Sequence, residues 1–163
     1  MFEQVLAKIR QYDTIIIHRH CSPDGDALGS QIGLKHIILA NWPEKRVLMV
    51  GDEAGRYAFM ADSVMDEVAD EMYQGALAVI LDTSARKLIS DDRYTLAAET
   101  VRIDHHIFCE EIAGTEVSDS TFESCCGMIA AFCQESGLML PPEAATALYT
   151  GMITDSGRYA YSS

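Results

Sequence analysis

The chain has 163 residues, the size of one domain with a core of its own. Its composition, 48% hydrophobic and 23% charged, is typical of a globular protein, and no apolar run approaches the roughly 18 residues that a membrane span needs. The net charge of −13 argues against a basic surface that grips long nucleic acids. We therefore expect neither membrane insertion nor long-duplex binding.

The N-terminus and the cysteines indicate the compartment. Residues 1–10 alternate charged with apolar side chains and lack the basic start, apolar core and cleavage site of a signal peptide. The five cysteines are odd in number and form no CxxC pair, so we interpret them as small buried side chains in a reducing environment. We expect a cytoplasmic protein.

Helix and strand patterns alternate along the first part of the chain. An apolar face over residues 2–9 predicts a first helix, and the β-branched run Thr14–His18 predicts a buried strand. A second helix is predicted over Ala27–Ala40, closed by the breaker Asn41-Trp42-Pro43. The run Arg46–Val50 then predicts a second strand. This order is typical of parallel strands joined by crossovers.

The second part of the chain continues the alternation. Two runs, Ala76–Leu81 and Val101–Ile103, predict a third and a fourth strand. Apolar spacing through Phe122–Cys133 predicts a third helix. Its start is predicted at the capping box Ser120-x-x-Glu123, and Gly137 lies just past its end.

A fourth helix is predicted to open at Pro141-Pro142 and to run to about Ile153, and Tyr159-Ala160-Tyr161 begins another extended segment. Together the elements predict an α/β fold. We expect a doubly wound, mostly parallel sheet of about five strands, with helices on both faces and the first strand central.

Histidines and aspartates follow three of the predicted strands, where ligands of open parallel sheets bind. They are His18 and His20 with Asp24 and Asp26, then Asp82, then Asp104, His105 and His106, and Asp155 follows the last helix. Each aspartate alone could be a helix cap or a turn residue, and we interpret His18 as a packed strand residue. Their convergence on one rim favours a cation site, because clustered carboxylates repel one another.

The donor types indicate the class of metal. Carboxylates and imidazoles without a thiolate suit Mn²⁺ or Mg²⁺ better than structural zinc. Four carboxylates with two imidazoles are too many for one catalytic ion that must keep an open position. They suit two ions about 3.5–4 Å apart that share a bridging carboxylate, as in phosphatases and nucleases.

Four ordered motifs resemble those of DHH phosphoesterases. They are His20-x-x-Pro23-Asp24-Gly25-Asp26-Ala27, Asp82, Asp104-His105-His106 and Gly151-x-x-x-Asp155-Ser156-Gly157. The resemblance covers essentially the whole chain. Residues 18–20, 26–31 and 154–159 look most like the group of small oligoribonucleases that also dephosphorylate 3′-phosphoadenosine 5′-phosphate.

The resemblance implies a role for each motif residue. The implied metal ligands are His20, Asp24, Asp26, Asp82, His105 and Asp155. The first two would hold one ion, Asp82 would bridge, and the remaining three would hold the other. His106 would face the scissile phosphate, and Asp104 would orient a histidine. Arg158 is either a phosphate contact or an ordinary surface arginine.

The implied function is hydrolysis of short oligonucleotides or nucleoside 3′,5′-bisphosphates by water activated between two Mn²⁺ or Mg²⁺ ions. Complete members of the group carry a C-terminal substrate domain with a glycine- and histidine-rich motif. No such motif occurs here, so we expect residues 1–163 to be the catalytic domain. The alternatives are an inorganic pyrophosphatase of the same superfamily and a non-catalytic metal- or nucleotide-binding module. A homodimer is left open.

Overall fold

The computed structural model describes residues 1–155, without the side chain of Asp155. Arg158 and the predicted extended segment at Tyr159–Tyr161 therefore lie outside the described residues. The strands are β1 (Thr14–Arg19), β2 (Arg46–Met49), β3 (Leu77–Leu81), β4 (Glu99–Asp104) and β5 (Thr115–Ser118). The α-helices are α1 (Glu3–Gln11), α2 (Gly25–Asn41), α3 (Cys125–Glu135) and α4 (Pro142–Asp155). Within this range no helix is long and apolar enough to cross a membrane.

The five strands form one sheet in the order β2-β1-β3-β4-β5, and every neighbouring pair is parallel. The predicted parallel α/β sheet is thus confirmed. β1 is an interior strand, but the central position belongs to β3. β2 lies on one side of β1, whereas β3 and the later strands lie on its other side. The strand order therefore reverses between β1 and β3. Crevices at such a reversal are where ligands bind in open α/β sheets.

The two faces of the sheet are covered by different kinds of structure. The four α-helices share one core with side chains of one face, such as Ile15 and Val79. On the other face, Ile16 packs with Tyr73, and Ile80 packs with Tyr94. These tyrosines belong to short 3₁₀ helices in the connections to β3 and β4. Right-handed crossovers account for the opposite placement of α2 and of these two 3₁₀ helices, because connections running in opposite directions lie on opposite faces.

The start of α3 differs from its prediction. The helix begins at Cys125, and the Ser124 hydroxyl accepts a hydrogen bond from the Gly127 N–H at 2.9 Å. The predicted capping box at Ser120 and Glu123 is therefore wrong, because the extended backbone of Ser124 places its hydroxyl over the first turn. The predicted glycine stop is confirmed, since Gly137 has a φ of +65° and donates to the Gln134 carbonyl.

Helices α2 and α4 touch through their backbones. A Cβ at Gly29 would lie 2.5 Å from the Ala147 carbonyl oxygen, and a Cβ at Gly151 would lie 2.9 Å from the Gly25 carbonyl oxygen. Spacing by four residues puts Gly25 and Gly29 on one helix face. The absence of side chains there allows the end of α4 to lie beside the start of α2, where Asp24 and Asp26 are.

Candidate metal centre

The turn between β1 and α2 supplies the first candidate ligands. His20 Nε2 lies 3.7 Å from Asp24 Oδ1 and 3.4 Å from Asp82 Oδ2. Asp24 also caps α2, since its Oδ1 accepts a hydrogen bond from the Ala27 N–H at 2.8 Å. The ordinary interpretation of Asp24 as a helix cap is thus correct, and the same capped carboxylate faces the histidine.

Asp82 lies between the two histidine-bearing turns, directly after β3. Its φ of +53° is uncommon outside glycine and strains the backbone. In that conformation Asp82 Oδ2 lies 3.4 Å from His20 Nε2, and Oδ1 lies 3.3 Å from His105 Nε2. The carboxylate is 2% exposed, and Oδ1 accepts no hydrogen bond from the residues that the structure describes. A buried carboxylate oxygen left in this state is costly unless a cation meets it.

The turn after β4 supplies two imidazoles. His106 Nδ1 lies 2.6 Å from Asp104 Oδ1 and 3.8 Å from Asp82 Oδ1. His105 Nε2 lies 3.3 Å from the same Asp82 oxygen, and the two rings are 4.3 Å apart. Asp104 is completely buried, whereas the side chain of His106 is about half exposed. Asp104 therefore fixes one nitrogen of an imidazole that solvent still reaches.

Asp26 is held at the N-terminus of α3. Its two carboxylate oxygens accept hydrogen bonds from the Cys125 and Cys126 N–H groups at 2.9 and 2.8 Å. These are donors without partners inside the helix, and the helix dipole also favours a negative charge there. Asp26 Oδ2 lies 3.4 Å from His105 Nε2. The fully buried carboxylate therefore connects α3 to His105.

The cysteines next to Asp26 are not thiolate ligands. Burial and the negative charge of Asp26 raise the thiol pKa of Cys125 and of Cys126 well above the usual value. Cys133 is also buried, in agreement with the interpretation of the cysteines as small core residues, whereas Cys21 and Cys109 are exposed. The donor set at this edge of the sheet is therefore carboxylate and imidazole.

Two groups of side chains could each hold a metal ion. One contains His20, Asp24 and Asp82, and the other contains Asp82, His105 and His106. Within each group, donor atoms of the three residues all lie within 4.8 Å of one another. Asp82 belongs to both groups. Of the described candidates, Asp26 belongs to neither, although it contacts His105. Asp155 is the last residue of α4, and its side chain lies outside the description.

When no cation is bound, protonated histidines offset the negative charge of the carboxylates in this site. Burial lowers the pKa of His20, but Asp24 and Asp82 outweigh it and raise that pKa to about 11. Asp104 raises the pKa of His106 despite its partial burial. Burial alone would raise the pKa of Asp82, but the neighbouring His105 and His20 hold it below its usual value. Because metal-binding histidines are neutral, a cation bound by His20 would displace its proton.

Comparison with known proteins identifies the family. The family described as "DHH family, N-terminal domain" matches residues 14–152. The chain belongs to the DHH family. The expectation drawn from the four motifs is confirmed at this level.

Curated relatives of this DHH chain carry two activities in their names. It is 41% identical over 160 residues to the probable bifunctional oligoribonuclease and PAP phosphatase NrnA of Streptococcus mutans, covering 98% of this chain and 51% of that protein. It is 36% identical over 169 residues to the bifunctional oligoribonuclease and PAP phosphatase NrnA of Bacillus subtilis, covering 99% and 52%. The chain thus spans about half the length of these relatives.

Solved structures show the same fold. An exopolyphosphatase-related protein from Bacteroides fragilis superposes with a TM-score of 0.83 at 26% identity, covering 98% of this chain and 51% of that one. The exonuclease RecJ bound to manganese superposes with a TM-score of 0.55 at 17% identity, covering 93% and 41%. At that identity the second likeness concerns the fold alone.

Arg102 is a residue of the DHH chain that sequence reasoning missed. It is completely buried in β4, and its guanidinium pairs with the Glu116 carboxylate on β5, with Nε 2.9 Å from Oε1. It also donates to the Thr83 and Glu110 carbonyl oxygens, and Nη1 lies 3.7 Å from Asp104 Oδ2. Arg102 therefore joins the turns that carry Asp82 and His106. A charged residue inside the predicted strand Val101–Ile103, between two apolar residues, was the available signal.

His18 is a packed strand residue on the face of the sheet opposite the α-helices, beside Tyr73. Its Nδ1–H donates to the Asp91 carbonyl oxygen at 3.1 Å, and its Nε2 accepts from the Tyr73 hydroxyl at 3.0 Å. Burial lowers the pKa of His18 to about 4, so the ring is neutral. The interpretation of His18 as a hydrogen-bonded strand residue is confirmed.

Proposed function

We propose that this chain is the catalytic part of a two-metal phosphoesterase that hydrolyses short oligonucleotides and nucleoside 3′,5′-bisphosphates. The observation that carries the proposal is Asp82, a buried carboxylate common to both candidate metal groups, with one oxygen that accepts no hydrogen bond among the described residues. The names of the relatives, oligoribonuclease and PAP phosphatase, support the substrate class.

The donor set fits Mn²⁺ or Mg²⁺. Aspartate oxygens with a minority of imidazoles suit these ions, and no thiolate is offered. His20 and Asp24 would hold one ion and His105 would hold the other with Asp82 between them, while Asp26 would keep His105 in place or bind directly. We extend the assignment to Asp155 because α4 ends beside the start of α2.

The reaction would follow from the roles of these groups. Two bound cations would lower the pKa of a coordinated water and offset charge on the phosphate oxygens. The chain's own part is to hold that charge in place. His106 has its Nδ1 on Asp104, which leaves Nε2 for the substrate. The raised pKa of His106 favours the protonated imidazole, which would donate a hydrogen bond or a proton to a phosphate or leaving-group oxygen.

The test is metal-dependent turnover by the 163-residue chain. Dinucleotides, 3′-phosphoadenosine 5′-phosphate, inorganic pyrophosphate and bis(p-nitrophenyl) phosphate are each assayed with Mn²⁺ and with EDTA. We expect Mn²⁺-dependent turnover of the first two and of the chromogenic ester, and loss of it in Asp82→Asn. Asp119→Asn is the matched control, because Asp119 is a partly exposed carboxylate whose side-chain hydrogen bonds, among the described residues, go to Thr121.

The other outcomes separate the alternatives. Turnover of pyrophosphate alone would make the chain a pyrophosphatase, and bound Mn²⁺ without any turnover would make it a binding module. We expect slow turnover of dinucleotides and a smaller deficit on the chromogenic ester, since the relatives are about twice as long. Binding energy from the remote parts of a substrate contributes to turnover as well as to affinity.

A further inference from the structure

A shallow depression of about 500 Å³ lies beside the candidate metal centre. It is lined by residues 22–24, before α2, and by residues 52–57, after β2. Asp24 belongs both to this lining and to the first metal group. A phosphate ester bound at the metals would therefore have one of its substituents next to the depression.

The wall of the depression is a fixed structure. Asp52 joins its two loops, because Oδ2 accepts from the Ser22 N–H at 2.8 Å while Oδ1 lies 2.6 Å from Nη1 of the buried Arg19. The Ser90 hydroxyl donates to Asp52 Oδ1 at 2.7 Å. The negative charge of Asp52 is thus already met by a buried cation, and the two loops keep a constant separation.

One end of the depression offers planar side chains. The Arg56 guanidinium lies 5.2 Å from the centre of the Tyr57 ring, and its Nη2 lies 3.2 Å from the Tyr57 hydroxyl. The ring of Phe59, which is 72% exposed, is 6.2 Å from that of Tyr57. Aromatic rings and guanidinium planes are the surfaces on which unpaired bases stack, whatever their sequence.

We infer that this depression binds the nucleoside adjoining the scissile phosphate, with its base stacked on Arg56 and Tyr57. The inference rests on the proposed function. Carboxylates of Asp24 and Glu53 line the depression and accept hydrogen bonds from ribose hydroxyls. Arg56 is the one basic residue among the lining residues and Glu53 offsets its charge, so a second phosphate is disfavoured there and the occupant is the uncharged nucleoside.

The experiment pairs a change in the enzyme with a change in the substrate. Diadenosine monophosphate is compared with its two analogues in which one adenine is replaced by hydrogen. KM and kcat are measured with Mn²⁺ for the unmodified chain, Tyr57→Ala and Tyr57→Phe. The matched control is Tyr149→Ala, since Tyr149 is 64% exposed on α4 and does not line this depression.

We expect the KM of the unmodified chain to rise roughly 5- to 150-fold when one particular base is removed, which is the range for stacking of one base. Tyr57→Ala should abolish that preference with little change in kcat, while Tyr57→Phe and Tyr149→Ala keep it. The inference is overturned if Tyr57→Ala discriminates between the substrates as the unmodified chain does, or if neither base matters.

Two further measurements keep the outcomes distinct. If no substrate is turned over, the proposed function fails, and equilibrium binding of the three dinucleotides to the Mn²⁺-loaded variants tests the depression by the same comparison. Because Tyr57 packs on the cluster around Leu28 and Ile32, thermal unfolding of Tyr57→Ala is recorded. If that variant does not fold, Arg56→Ala, which changes an exposed side chain, replaces it and must reduce the same preference.

Discussion

His106 Nδ1 lies 2.6 Å from Oδ1 of Asp104, and that carboxylate is completely buried. The contact keeps the imidazole in one orientation and raises its pKa. Removal of the negative charge from Asp104 should therefore change both the position and the protonation of His106.

Asp104→Asn is expected to lower kcat by roughly 10- to 100-fold, with little change in KM, as for other groups that orient a histidine. The pKa of His106 is raised in the folded chain, so its protonated form persists to higher pH than it would without Asp104. The decline of kcat on the alkaline side should consequently move to lower pH in the variant. Asp119→Asn should leave the profile unchanged, and an unmoved alkaline limb in Asp104→Asn would exclude His106 as the proton donor.

Asp82 is expected to be the most damaging single position. Asp82→Ala, and Asp82→Asn, which tolerates the positive φ better, remove a charge shared by both candidate metal groups. Calorimetric titration with Mn²⁺ should show loss of both ions. His106→Ala should keep Mn²⁺ binding and lose roughly 10²- to 10³-fold in kcat. Equal loss of binding in the Asp82 and His106 variants would mean that these roles are misassigned.

Arg102 should matter for stability through its pairing with Glu116. Arg102→Met leaves a largely buried carboxylate without its cation, which costs about 3–5 kcal/mol of unfolding free energy. The double variant Arg102→Met/Glu116→Leu should recover part of that loss. Lys8→Met breaks the more exposed pair with Glu99 and should cost about 0–1 kcal/mol. Urea unfolding of the unmodified chain, these three variants and Glu116→Leu measures this, and additive effects of Arg102→Met and Glu116→Leu would contradict it.

Position 151 is expected to tolerate no residue larger than glycine. A Cβ there would lie 2.3 Å from Cys126 Sγ and 2.9 Å from the Gly25 carbonyl oxygen, so α4 must shift away from α2. Gly151→Ala should lower the unfolding free energy by about 1–3 kcal/mol and also weaken Mn²⁺ binding. Gly114→Ala is the control, because its Cβ would lie an ordinary 3.7 Å from the Thr100 carbonyl oxygen. A stable Gly151→Ala chain would refute the tight contact.

His18 should make the metal-free protein sensitive to acid. Its folded pKa of about 4 lies below the ordinary 6.5, so the unfolded chain binds the proton first as pH falls. The stability from neutral His18 is fully present above pH 6.5 and is lost down to about pH 4, by about 3 kcal/mol. Unfolding free energies in EDTA, compared with His18→Gln, should differ in slope over that window. Parallel curves would contradict the depressed pKa.

Much of the fold could be predicted because buried parallel strands have a continuous apolar signature. Thr14–His18 and Ala76–Leu81 match β1 and β3 to within a residue or so. Strand β5 was not predicted, since the short segment Thr115–Ser118 at the sheet edge is only partly buried. The second face was expected to carry helices and carries short 3₁₀ turns, which lack the long period that reveals an α-helix.

The site could be predicted as a set of strand ends but not as a geometry. The alternation of side chains along a strand suggests that His105 and His106 point in opposite directions. Both rings instead approach Asp82 Oδ1, because β4 ends at Asp104 and the alternation ends with it. The hydrogen bonds from the start of α3 to Asp26 could not be predicted either, because every residue except proline has a backbone N–H and the sequence does not show where it points.

The contact between α2 and α4 makes helical register a determinant of where Asp155, a proposed metal ligand, lies. The glycine face of α2 fixes which side of α4 can approach, so the angular position of Asp155 about the α4 axis is set by residues up to three turns away. One residue inserted between Leu148 and Gly151 would rotate Asp155 by about 100° relative to the preceding turns. Length changes in this helix are thus not neutral for the position of Asp155.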